Sequence, residues 1–195
     1  MSVSVYEASV PALSRTLRSL GHILQKGAAH ARQQGLRPET LLEKRLAPDM
    51  FPLARQVEIV VSGAKGCVAR LSGRLPPGDT SGELAVFNRG DEPSFGPFPT
   101  SFEQLQRLVE EALVQVRSIS PEEVEAGPAS ISVAKRGEVR HFETRSFVLA
   151  YVLPNLYFHV TVVYALLRAE GVPLGKSDFE GPAVYRLQVT NPGQD

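Results

Sequence analysis

The chain has 195 residues, 43% of them hydrophobic and 22% charged, which suits one globular domain over 1–195 with a sizeable core. Lysine plus arginine equals aspartate plus glutamate at 21 each, so no basic excess points to nucleic acid. A single cysteine, Cys67, excludes an internal disulfide framework and favours a cytoplasmic setting, and the first residues lack the basic-then-apolar pattern of a signal peptide.

Leu13, Leu17, Leu20 and Leu24 recur at helical spacing and predict a first helix. Pro11 suits its first turn, and Gly35 marks its end near Gln34. Pro38 to Leu42 suggests another short helical turn. The second long helix reads from Ala54, Val57, Val61, Ala64, Val68 and Leu71, an apolar stripe stepping by three and four. Asp49 precedes it as a candidate cap, while Arg55, Glu58 and Lys65 read as its solvated face. Gly73, Pro76 and Pro77 end it.

Residues 76–100 are dense in proline and glycine and predict a long loop, with Phe87, Phe95 and Phe98 docking parts of it on the core. Thr100 or Ser101, followed by Glu103 and Gln104, predicts the capped start of a third helix carrying Phe102, Leu105, Leu108, Leu113 and Val116. Ser120-Pro121-Glu122-Glu123 reads as a short helical start. Ile131 and Val133 alternate with serines ahead of Gly137 and Val139, which predicts a small β-hairpin over 130–143. A last long helix spans about Thr144 to Glu170, kinked or restarted at Pro154 and stopped by Gly171. The tail 180–195 has no period.

Residues 147–167 contain no Asp, Glu, Lys or Arg, a run long enough to span a bilayer. It nevertheless carries Pro154, Asn155, His159 and Thr161, so a buried bundle helix is the expectation and a membrane partner is not.

His159 is the leading functional candidate. Asn155 lies four residues earlier, on the same helix face. Together with Asp49 they could hold a divalent metal, although asparagine is a poor zinc ligand and three protein ligands are usual. The simpler account is a buried, hydrogen-bonded histidine with Tyr157 and Tyr164 as candidate supporting partners. His22 and His30 are too far apart along the first helix to share an ion unaided, His141 reads as an exposed hairpin position, and Cys67 reads as core. Ser62-Gly63-Ala64-Lys65 matches the acylating S-x-x-K pattern without its companion motifs. Gly171 to Ser177 is one residue short of a phosphate-binding P-loop and follows a helix, not a strand.

Three stretches carry a family resemblance: Tyr6-Glu7-Ala8-Ser9-Val10-Pro11, Arg45-Leu46-Ala47-Pro48-Asp49-Met50-Phe51-Pro52-Leu53, and Pro154-Asn155-Leu156-Tyr157-Phe158-His159-Val160 continuing through Gly171, Gly175, Lys176, Asp178 and Phe179. The chain resembles the domain-of-unknown-function family DUF1993, within the DinB-like superfamily. The resemblance implies a mainly α, up-down-down-up four-helix bundle, often homodimeric. It also implies a long crossover (76–100) between helices two and three, with the β-hairpin lying before helix four. DinB-like relatives often bind a divalent metal through one histidine on helix two and two on helix four, and some are thiol transferases. His159 matches a helix-four ligand position, Asn155 stands at the preceding one, and the Asp49–Phe51 neighbourhood matches helix two without a histidine. Three functions remain open: a homodimeric bundle without established activity, a divergent metal-dependent thiol transferase or hydrolase using Asp49, Asn155 and His159, and a small-molecule binding protein with a pocket under the long loop.

Overall fold

The computed structural model describes residues 3–76, 79–90, 92–135 and 137–186. Helix α1 spans Val5–Gln33 and starts earlier than Pro11 implied. Its cap is a reciprocal pair: the Ser4 hydroxyl accepts from the Glu7 N–H at 3.1 Å, and the Glu7 carboxylate accepts from the Ser4 N–H at 2.8 Å. Pro11 therefore lies inside the helix, and the Ser4-x-x-Glu7 signal outweighs it. Gln34 and Gly35 end the helix as expected, with Gly35 at φ 64°. A short α2 follows at Pro38–Leu42.

Helix α3 spans Leu53–Leu71 and takes Pro52, not Asp49, as its N-cap residue, without a side-chain bond. Asp49 is exposed in the preceding turn, so its expected capping role is corrected. Helix α4 spans Phe102–Arg117 behind a Ser101 cap, and α5 spans Pro121–Glu125 behind a Ser120–Glu123 capping box. Strands β1 (Ser130–Lys135) and β2 (Glu138–Glu143) pair antiparallel, with Ile131 opposite Phe142 and Val133 opposite Arg140. Ile131 and Val133 point into the core. Helix α6 (Thr144–Ser146) runs into a π-helical segment, Phe147–Val152, and then into α7, Leu153–Ala169. Gly171, at φ 85°, stops it. The tail gains one short helix, α8, at Lys176–Glu180; residues 187–195 of the expected tail lie outside the described residues.

The long helices make a four-helix bundle. Helix α1 packs chiefly on α4, and α3 packs on α4 and α7, so α1 and α3 lie across its diagonal. One continuous core joins Leu13, Leu17 and Leu20 of α1, Val57, Val60 and Val68 of α3, Leu105 of α4, and Leu156 and Val163 of α7. Asp178 fastens α8 to α1. Its carboxylate takes the Gly175 N–H at 2.7 Å, His22 at 2.8 Å and Lys26 at 2.9 Å. The Gly175 bond first, then the Lys26 and His22 bonds, hold the Asp178 carboxyl down to about 2.

The crossover loop decides how α3 is buried. Arg55 and Lys65 are only 4% and 9% exposed, which corrects the expected solvated face. The loop covers them. Arg55 donates to the Gly96 carbonyl at 3.0 Å, pairs with Glu58 at 2.7 Å, and lies 4.8 and 5.0 Å from the Phe95 and Phe98 ring centres. Lys65 pairs with Glu83 of the loop. Arg70 donates to the Leu84 carbonyl at 2.8 Å. Two helical glycines make this closeness feasible. A Cβ on Gly63 would overlap the Phe87 ring, and one on Gly66 would overlap the Leu84 carbonyl.

Gly63→Ala measures this contact. On helix propensity alone the change would stabilise by about 1 kcal/mol. Overlap with Phe87 is expected to reverse the sign, destabilising by about 1–3 kcal/mol in chemical denaturation. A more stable variant would mean that the loop does not sit on α3.

Candidate functional site

The site is built on the irregular part of the fourth helix. Pro154 has no N–H to donate, and in regular α winding its ring crowds the carbonyl four residues back. The helix widens to π geometry over Phe147–Val152, just before that proline. The Asn155 amide then donates to the Tyr151 carbonyl at 2.6 Å, so the Asn155 side chain is held against its own helix backbone. One turn further, His159 faces α3.

There His159 Nδ1 lies 2.6 Å from Gln56 Oε1. The Gln56 amide nitrogen donates to the Phe51 carbonyl at 3.0 Å. That bond orients the amide, leaving its oxygen to accept from the imidazole, and so assigns the proton to Nδ1 and the lone pair to Nε2. The Phe87 ring lies parallel to the imidazole, with centroids 5.9 Å apart, and Phe158 meets it edge-on at 5.2 Å. Burial pushes the His159 pKa down to about 4, with Lys135 adding electrostatic opposition to a positive ring. The imidazole is therefore neutral at physiological pH.

Phe87 closes the site at a conformational cost. Among the described residues it is the only non-glycine with positive φ, at 56°. Several bonds enforce the conformation. The Asn88 side-chain oxygen accepts the Val86 N–H at 2.8 Å, and its amide nitrogen donates to the Ala134 carbonyl of β1 at 2.8 Å. The Tyr151 hydroxyl donates to the Val86 and Phe87 carbonyls at 3.0 and 3.3 Å. Burial raises the pKa of that hydroxyl, which keeps it a protonated donor.

The structure brings His159 to Gln56, and it keeps Asn155 occupied within its own helix. Asp49 takes part in no hydrogen bond or ion pair among the described residues. Tyr157 is exposed, and Tyr164 packs edge-on against Phe179 at 6.3 Å. Gln56, Phe87 and Tyr151 are the members that the sequence reading missed. Gly63 and Gly66 were the available signal, since glycine inside a helix marks a close approach. Cys67 is fully buried, with its thiol pushed up to about 12 by burial, so it is core as expected. Among the described residues no three His, Cys, Asp or Glu side chains gather as an ion-binding group. As arranged, His159 offers an ion one imidazole nitrogen, Nε2. This donor set does not fit a three-ligand centre.

The crossover loop, the hairpin before the fourth helix and the helix-four histidine facing α3 define a DinB-like four-helix bundle. The chain matches the family described as a domain of unknown function, DUF1993, over residues 5–180, and it belongs to that family. It is also similar to a solved structure described as a DinB family member protein from Shewanella denitrificans, with 30% identity, a TM-score of 0.76, and coverage of 94% of this chain and 95% of that one. No curated protein matches the chain. The family carries no established activity.

Neutral burial of His159 makes stability pH-dependent. The folded-state pKa of about 4 lies below the ordinary value of 6.5. The unfolded chain therefore binds more protons between those values, and stability rises with pH across them. The contribution is complete above about pH 6.5 and is lost as pH falls towards 4. At about 1.4 kcal/mol per unit, it amounts to a few kcal/mol. His159→Leu is expected to lower stability at pH 7 and to flatten its slope between pH 6.5 and 4. An unchanged slope in urea titrations would show that His159 is not buried neutral.

Proposed function

We propose that the protein works as a cytoplasmic homodimer joined along the outer face of the π-helical segment and α7, and that it serves as a binding module and not as a metal-dependent transferase or hydrolase. The observation that carries this reading is the exposure of the most apolar helix. By length and composition Thr144–Ala169 could cross a membrane, yet only 44% of its most apolar window is buried. Its inner face packs on α3 and α1, as in the core helix of a globular domain. Its outer face keeps Leu149, Tyr157 and Phe158 exposed at 48%, 42% and 54%. Ala150, Pro154 and Thr161 extend this face without a charge.

An uncharged stripe of this kind marks an interaction surface. A second copy is the occupant that fits best. A two-fold contact opposes the same stripe from both chains, and aromatic residues are favoured in such contacts. A net charge of zero brings no overall repulsion between copies.

Sedimentation analysis of the full chain at micromolar concentration is expected to give a dimer. Leu149→Glu with Phe158→Glu should shift it to a folded monomer. A wild-type monomer, or a double variant that remains dimeric, would overturn the proposed interface.

A divalent metal held by Asp49, Asn155 and His159 is the rival reading. One observation favours it: the assigned tautomer leaves Nε2 unprotonated, as metal-bound histidines require. Protein purified without chelator or affinity metal is expected to contain no stoichiometric divalent ion. One ion per chain that disappears in His159→Ala would establish the rival.

A further inference from the structure

We propose that the cavity between the crossover loop, the end of α3 and the β-hairpin is a binding site for a small organic oxyanion, held by Arg70 and Arg89. The cavity measures about 730 Å³, within the usual range for small-molecule sites. Its wall draws on Arg70 of α3, on loop residues including Asp79 and Arg89, and on Ser132 and Val139 of the hairpin. It is distinct from the packed His159–Gln56 pair, neither of which lines it, and does not depend on the oligomeric state.

The argument rests on charge compensation. Both guanidinium groups bond to neutral backbone oxygens. Arg70 donates to the Gly66 and Leu84 carbonyls at 2.9 and 2.8 Å, and Arg89 donates to the Ser94 carbonyl at 2.8 Å while lying 4.1 Å from the Phe95 ring centre. Carbonyls satisfy donors but do not neutralise a cation. Neither arginine forms an ion pair among the described residues. The Nε–H of each is buried without an acceptor, which is a costly state for a charged donor. The Asp79 carboxylate, on the same wall, accepts from the N–H and hydroxyl of Ser81, both at 3.0 Å.

The site also has a built feature. A Cβ on Gly82 would overlap the Arg89 guanidinium, so the loop keeps a bare position where that group lies. Two fixed guanidinium groups on one cavity wall, on which the Asp79 and Glu58 carboxylates act only from beyond ion-pair distance, match the planar, bidentate demand of a carboxylate or phosphate. The apolar Val139 and Ala134 side chains offer contact to the organic body of such a ligand.

The test is NMR on the full-length wild-type chain, observing the arginine Nε–H signals. Inorganic phosphate, phenyl phosphate, benzoate and phenol are titrated separately against sodium chloride at matched ionic strength. The expected result is a saturable shift of the Arg70 and Arg89 signals, with a midpoint of about 1 mM or lower for phenyl phosphate. Inorganic phosphate should bind about tenfold more weakly, and phenol should leave both signals unmoved. A saturable response to benzoate with none to either phosphate assigns a carboxylate ligand and supports the site. Arg89→Gln should abolish the response, and Arg89→Lys should retain part of it. The proposal is overturned if no anion gives a saturable shift, if all arginine signals move together, or if folded Arg89→Gln binds as the wild type does. If Arg89→Gln does not fold, the wild-type titration decides.

Discussion

The seat of the Phe87 ring on the bare backbone of Gly63 is the contact on which the rest of the structure depends. Glycine in mid-helix loses backbone entropy relative to alanine, and Phe87 adopts a backbone conformation that L-residues avoid. Two local penalties at one contact need a common compensation. It comes from burial: the ring covers α3, the loop follows it down, and the carbonyls near the ring satisfy Tyr151. With the loop in place, α3 is buried on nearly every side, including the positions of Arg55 and Lys65.

That arrangement also fixes the chemistry of His159. An imidazole at the same position but open to water would titrate near its ordinary value and could accept a metal at Nε2. Under Phe87, with Nδ1 bonded to Gln56, it is a neutral group with its proton placed. The bundle therefore keeps a histidine on helix four while presenting it as part of a packed polar pair.

Much of the fold was legible because periodicity reports burial directly. The leucine spacing in α1, the alternation at Ile131 and Val133, and the Gly35, Gly137 and Gly171 stops all read correctly. The amphipathic rule failed where the covering layer was chain and not solvent. Arg55 and Lys65 look like a wet face in sequence, because the loop aromatics signal docking on the core but not that Glu83, Phe95 and Gly96 will lie over these two side chains. The site was half legible for the same reason. His159 stood out through its uncharged surroundings, whereas Gln56 is separated from it by 103 residues and becomes its partner only through packing of α3 on α7. Asp49 looked like a cap because it precedes a helix, but Pro52 sets the start of α3 three residues later.

The most direct measurement of this account is the state of the His159 ring in the intact protein, read from its nitrogen chemical shifts across a pH titration. The account requires a neutral ring protonated at Nδ1, holding that form until the pH falls to about 4. A ring that titrates near 6.5, or one protonated at Nε2 at neutral pH, would contradict the closed His159–Gln56 pair.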